Sequence, residues 1–203
     1  MNVCLMLKAP RGGFVKTRLA RDIGGIDAVK AYRRLVETQI ASLPEDWTVH
    51  IAFTPNDAGD EMREWLGADY HYFAQCDGDL GARLVHSARC LDVPLIFLGG
   101  DCPALNRARL LDAAESMKSA DIVIWPAEDG GYCLLGFQTL IPEIFTGITW
   151  GTDKVFNETL ERIPVGVSLC VMTPPLEDVD DLASWERALA TGCMQKPPEL
   201  GST

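Results

Sequence analysis

Polar and apolar positions along the chain alternate between two periods. Short apolar or β-branched runs at residues 3–7, 48–53, 70–74, 94–98, 122–125, 132–137 and 167–172 predict strands. Between them, apolar residues recur at helical spacing over 26–43, 59–66, 80–90, 107–118, 153–162 and 182–190. The runs at 94–98 and 122–125 are almost continuously apolar, as expected of strands covered on both faces. Strand and helix alternating over the whole length predict an α/β sandwich with a mostly parallel sheet. No repeat or low-complexity linker interrupts the pattern, so residues 1–194 read as a single domain. Residues 195–203, with Pro197, Pro198 and Gly201, read as a flexible tail.

That architecture says where chemistry belongs, because open parallel sheets bind ligands beyond the carboxyl ends of their strands. Composition narrows the partners. The chain has 203 residues, 47% hydrophobic and 23% charged, with a formal net charge of −11. Such an acidic surface argues against a nucleic-acid partner and makes local basic clusters informative. No apolar stretch is long enough to span a membrane, and no basic flank with an apolar core marks an export signal. Seven cysteines are scattered without C-x-x-C or histidine pairs, which argues against a zinc site and for reduced thiols in the cytoplasm.

The clearest basic cluster is "KAPRGGFVKTRLA", residues 8–20, directly after the first strand. Lys8, Arg11, Lys16 and Arg18 surround Pro10, Gly12 and Gly13, and a helix is expected to start near Thr17. Glycines let backbone amides approach an anion, and a helix N-terminus favours negative charge. A di- or triphosphate is the ligand this predicts, with a solvated basic loop as the alternative. The spacing fits neither a Walker A loop nor G-x-G-x-x-G.

Other strand ends carry further candidates. In "QCDGDLGARL", residues 75–84, Asp79 reads as a helix cap, while Gly78 and Gly81 leave room for a flat ligand. In "FLGGDCPAL", residues 97–105, Asp101 is either a turn residue or a ligand for Mg²⁺, which takes one or two protein carboxylates and phosphate oxygens. Cys102 as a nucleophile would need a base, and no histidine lies in a suitable turn. Asp129, Gly130 and Gly131 form a tight turn before Tyr132, open to substrate or purely structural. Trp150, Gly151 and Thr152 precede a helix. In "LEDVDDLASWERAL", residues 176–189, one of Asp178, Asp180 and Asp181 caps the helix, and another is a candidate second metal ligand.

Together these segments resemble the DUF2064 family of bacterial proteins, related in pattern to phospholactate guanylyltransferases. The resemblance runs in order through K-x-P-x-x-G-x-V-K-T-R-L (8–19), G-D-L-G-x-R-L (78–84), G-x-D-C-P-x-L (99–105), P-A-x-D-G-G-Y-x-L-x-G (126–136), W-x-T (150–152) and a D-V-D segment from Asp178. It departs from the family where D-V-D-T-x-x-D-L is shortened to Asp180-Asp181-Leu182, and where Gly151 replaces a serine.

The resemblance implies a GT-A-like fold, a three-layer sandwich, and a transferase that uses a nucleotide-sugar, with a nucleotide triphosphate as the alternative. It implies Mg²⁺ or Mn²⁺ on Asp101 and Asp180, with Asp101, Lys16 and Arg18 acting in catalysis. Lys8, Pro10, Arg11, Gly12, Gly13, Lys16, Thr17, Arg18, Gly78, Asp79 and Gly81 would hold the nucleotide and its phosphates. Asp129, Gly130, Gly131, Tyr132, Trp150 and Thr152 would meet the substrate, and Cys102 becomes a packing residue. The expected activity is glycosyl transfer to a small-molecule acceptor. Nucleotidyl transfer to a phosphorylated small molecule, releasing pyrophosphate, is the alternative, and a non-catalytic nucleotide-binding protein a third. A homodimer is a further expectation.

Overall fold

A computed structural model describes residues 1–194; the expected tail at 195–203 lies outside the described residues. Seven strands, β1 (Asn2–Lys8), β2 (Thr48–Thr54), β3 (His71–Ala74), β4 (Leu95–Leu98), β5 (Ile122–Pro126), β6 (Tyr132–Phe137) and β7 (Leu169–Val171), form one sheet. Their order is β3-β2-β1-β4-β6-β5-β7. All neighbours pair in parallel except β6, which runs antiparallel to both β4 and β5. The helices are α1 (Leu19–Ile23), α2 (Gly25–Ala41), α3 (Gly59–Leu66), α4 (Leu80–Arg89), α5 (Arg107–Ser116), α6 (Val155–Glu161) and α7 (Leu182–Ala190). None of the described helices is long and apolar enough to cross a membrane.

Strand periodicity sorts the core into two layers. Val3, Leu5 and Leu7 of β1 face one side, packed with Tyr32 and Val36 of α2, Met62 of α3 and Leu110 of α5. Cys4 faces the other side with Leu84 and Ala88 of α4, joined by Ile144 and Phe145 of a short 3₁₀ turn at Pro142–Phe145. Every residue of β4 and β5 is buried, as their unbroken apolar character requires. Each fully buried aliphatic side chain in these layers stabilises the fold by about 1.5–3 kcal/mol.

Three details depart from the sequence expectations. The helix expected from Thr17 begins at Leu19 and lasts five residues, because Gly24, at φ 84°, breaks it from α2. No long helix therefore aims its N-terminus at the loop after β1. Strand β7 covers only Leu169–Val171, since it closes the sheet edge with partly exposed side chains. The Pro142–Phe145 turn had no periodic signal, being shorter than one helical repeat pattern.

The paired glycines after β4 are required by space. Neither has a positive φ, but a Cβ on Gly100 would lie 2.7 Å from both Leu7 and Val36 side chains. A Cβ on Gly99 would lie 2.7 Å from Asp101 Oδ1, so this glycine makes room for the Asp101 carboxylate itself.

Candidate active site

Asp101 leaves the end of β4, and the chain before α7 is fastened to it. The Val179 amide donates to the Asp101 carbonyl at 2.9 Å. Upstream, the Glu128 amide donates to the Leu176 carbonyl and the Leu176 amide to the Pro126 carbonyl, both at 3.0 Å, extending the edge of β5. Val179 is 1% exposed and packs with Leu35 and Ala188. In an extended segment the residues on either side of a buried one point the other way. Asp178 and Asp180 therefore face Asp101, and one carboxylate oxygen from each of the three lies within 4.8 Å of the others. Asp181 is the helix cap: its side chain accepts from the Ser184 amide at 2.9 Å in a capping box.

Lys16 reaches this cluster from the loop after β1. It holds φ at 44°, the only positive value for a non-glycine among the described residues. Its side chain is 4% exposed, and Nζ donates to Asp101 Oδ2 at 3.1 Å and to Asp180 Oδ1 at 2.8 Å. Burial alone would lower the Lys16 pKa, but the two carboxylates outweigh it and the net shift is upward. Arg18, mostly exposed, approaches Asp180 Oδ2 at 3.5 Å. Among the described residues, Asp178 has no basic partner within salt-bridge distance. Burial, then the charges of Asp101, Asp129 and Asp180, push its carboxyl up to about 6. An all-oxygen donor set whose third carboxyl resists ionising alone suits a hard divalent cation such as Mg²⁺ or Mn²⁺.

Two cavities meet at this cluster and share Arg18, Asp101 and Asp180. The first, about 290 Å³, adds Lys8, Phe14, Lys16, Thr17, Tyr32 and the Gly99-Gly100 backbone. The Tyr32 hydroxyl fixes the end of β1, accepting from the Lys8 amide and donating to its carbonyl, both at 3.0 Å. The second, about 500 Å³, adds Asp129, Gly131, Tyr132, Trp150, Thr152, Asp153 and Asp178. Its lining includes Cys133, whose thiol donates to the Leu176 carbonyl at 3.8 Å and is pushed up from its ordinary pKa by the neighbouring Cys102 thiol and by burial. Cys102 is 2% exposed and belongs to the core.

Several expected residues are elsewhere. Arg11 is turned away from the cleft and paired with Glu61 at 2.8 Å and Asp57 at 3.2 Å. Pro10, Gly12 and Gly13 line neither cavity. Asp79 caps α4 by accepting from the Ala82 amide at 2.8 Å, and Gly78, at φ 115°, makes the turn before it. The room over Gly81 is taken by the protein: a Cβ there would meet the Phe145 carbonyl at 2.7 Å and the Trp150 ring at 3.0 Å. Gly130 supports the turn from behind rather than lining it, since a Cβ would fall 2.2 Å from the Asp153 carbonyl oxygen. Asp129 Oδ1 accepts from the Gly131 amide at 2.8 Å, which sets the carboxylate at the cavity wall.

Two site residues escaped the sequence reading. Asp178 stood only as one of three interchangeable carboxylates; the period-2 alternation around Val179 is the signal that singles it out with Asp180. Asp153 had none, being read as the first residue of the helix expected over 153–162, which begins instead at Val155.

Known proteins place the fold and the family. No curated protein matches the sequence. Among solved structures, a candidate nucleotide-diphospho-sugar transferase from Desulfovibrio desulfuricans G20 superposes with a TM-score of 0.87 at 29% identity, covering 94% of this chain and 87% of that one. A nucleotidyl transferase from Methanothermobacter thermautotrophicus gives 0.61 at 18% identity, over 94% and 97% of the two chains. The manganese complex of Rv0371C from Mycobacterium tuberculosis H37Rv gives 0.52 at 14%, over 94% and 98%. The fold is thus the GT-A-like sandwich of sugar and nucleotidyl transferases. Residues 39–152 match the family described as "Uncharacterized protein conserved in bacteria (DUF2064)", and the chain belongs to that family.

Proposed function

We propose that the protein is a divalent-metal-dependent transferase that moves a glycosyl group from a nucleotide-diphospho-sugar to a small-molecule acceptor, residues 1–194 acting as one domain. The observation that carries this reading is the placement of Asp101, Asp178 and Asp180 between two cavities that share Arg18, Asp101 and Asp180. The donor would occupy the cavity beside Lys8, Lys16 and Arg18, and the acceptor the cavity beside Asp129, Tyr132 and Trp150. Mn²⁺ or Mg²⁺ on the three carboxylates would neutralise the leaving diphosphate. Lys16, held in place by Asp101 and Asp180, and Arg18, loosely held and exposed, supply further positive charge on the same side. The acceptor oxygen bonds to the anomeric carbon, the bond to the diphosphate oxygen breaks, and the acceptor proton passes to a carboxylate of the second cavity.

Commitment of Arg11 to Glu61 and Asp57, and of Lys16 to Asp101 and Asp180, leaves Lys8 and Arg18 for direct contact with phosphate. That supply suits a diphosphate better than a triphosphate. Nucleotidyl transfer is the second reading, supported by the placement of Lys8 and Lys16 in one cavity and the likeness to a nucleotidyl transferase.

The deciding experiment incubates the protein and Mn²⁺ separately with a panel of nucleotide-sugars and of nucleoside triphosphates plus phosphorylated metabolites. Release of a nucleoside diphosphate from a nucleotide-sugar is expected. Release of pyrophosphate from a triphosphate selects the second reading, and release of neither rejects both.

A further inference from the structure

The second cavity carries a charge pattern that speaks to the acceptor. Asp101, Asp129, Asp153, Asp178 and Asp180 line it, and Arg18 is the single cation among its lining residues. Three of these carboxylates are accounted for by the cluster that Lys16 approaches from the other side. Asp129 and Asp153 are not. Neither forms a salt bridge among the described residues, and no lysine lines the cavity. Even with a divalent ion, Lys16 and Arg18 set against the five carboxylates, one negative charge remains before any donor arrives. The donor's diphosphate adds more.

The Asp129 carboxylate and the main chain that carries Asp153 are both held in place by backbone. Asp129 Oδ1 is fixed by the Gly131 amide, and the Asp153 main chain lies against Gly130, whose carbonyl accepts from the Phe156 amide at 2.8 Å. Tyr132 and Trp150, with Leu80, Ala127 and Val155, supply the apolar part of the lining. Fixed carboxylates accept hydrogen bonds from hydroxyls, and aromatic rings pack against the C–H faces of a polyol. A phosphate or carboxylate in the same place would meet like charges with only Arg18, already approached by Asp180, to pair with.

We infer that the acceptor is a neutral polyol lacking phosphate and carboxylate groups, and that Asp129 and Asp153 exclude its phosphorylated counterparts. This rests on the proposed assignment of the second cavity to the acceptor.

The test pairs neutral compounds with their phosphorylated forms, glucose with glucose 6-phosphate and glycerol with glycerol 3-phosphate. Binding is read by saturation-transfer NMR on the full chain loaded with Mg²⁺ and a nucleoside diphosphate, and transfer is read as product mass with Mn²⁺ and the nucleotide-sugar panel. The neutral member should bind, and should be used at least tenfold more efficiently. The Asp129→Asn/Asp153→Asn variant, read by binding alone because it also removes the carboxylates offered to the acceptor proton, should narrow that preference at least fivefold, since an asparagine oxygen still accepts from the Gly131 amide. A phosphorylated member that binds or reacts as well as its neutral partner overturns the inference, and so does a failure of both members to bind. Absence of any donor cleavage, including slow hydrolysis to water, counts instead against the glycosyl-transfer reading.

Discussion

The two cavities that meet at Asp101 are built from opposite halves of the sheet by different means. On the parallel half, the loop after β1 and the turn after β4 present lysines and bare glycine backbone. On the half containing antiparallel β6, the hairpin turn and the chain before α6 present carboxylates and aromatic residues. One flank carries lysines and the other carboxylates, with three shared or adjacent carboxylates as the boundary; on the proposed reading the first accepts negative charge and the second repels it. A transferase needs that asymmetry, because the phosphorylated donor and the attacking acceptor must approach one point from two sides without exchanging places.

The sharpest way to break the comparison is to remove the boundary. Asp101→Ala should lower transfer by about 10³-fold and abolish the thermal stabilisation given by Mn²⁺. Turnover measured with saturating metal would show whether the flanks work without it; retained activity removes Asp101 from the metal site. Next in size, Lys16→Met should reduce transfer by about 10²-fold, mostly through donor use, while leaving binding of a neutral acceptor unchanged. Equal losses on both substrates would mean that Lys16 serves the whole cluster and not one flank.

Asp178 offers a test in pH. Its folded pKa, about 6, exceeds the ordinary carboxylate value because of burial and its acidic neighbours. The folded state therefore holds this proton to higher pH, and the metal-free protein loses stability as pH rises from about 4 through 6. Mn²⁺ should raise the melting temperature more at pH 7.5 than at pH 5. Asp178→Asn should stabilise the metal-free protein at pH 7.5 by roughly 1 kcal/mol, allowing for solvent screening, and should blunt the metal response. A metal response independent of pH, measured by differential scanning fluorimetry, would sink this account. The smallest effect belongs to Arg11→Ala, which should change donor KM by no more than about twofold, since its guanidinium is held by Glu61 and Asp57. A tenfold rise in KM would return it to the phosphate flank.

Much of this was legible in the chain because strands and helices differ in period. The apolar runs located all seven strands, and Asp101 was found by its place after one of them. Strand direction was not legible: a run such as Tyr132–Phe137 has the same pattern up or down, so the reversal of β6 came only with pairing. The fate of charges was hidden for a similar reason. Arg11 and Lys16 look alike in a basic loop, but Arg11 meets Asp57 and Glu61, 46 and 50 residues away, and Lys16 meets Asp180, 164 residues away. Gly81 was read as space for a ligand because nothing in its neighbourhood announced that Trp150 would fill it.

The contact between Gly130 and the Asp153 backbone bears on how such a protein diversifies. With the turn seated on the chain before α6, neither segment can lengthen or shift without displacing the other. Insertion, the usual route by which loops acquire new ligands, is closed at this wall. If this wall meets the acceptor as proposed, its preference changes by exchanging single side chains, and relatives with other acceptors should differ at the positions of Asp129 and Asp153 while keeping Gly130.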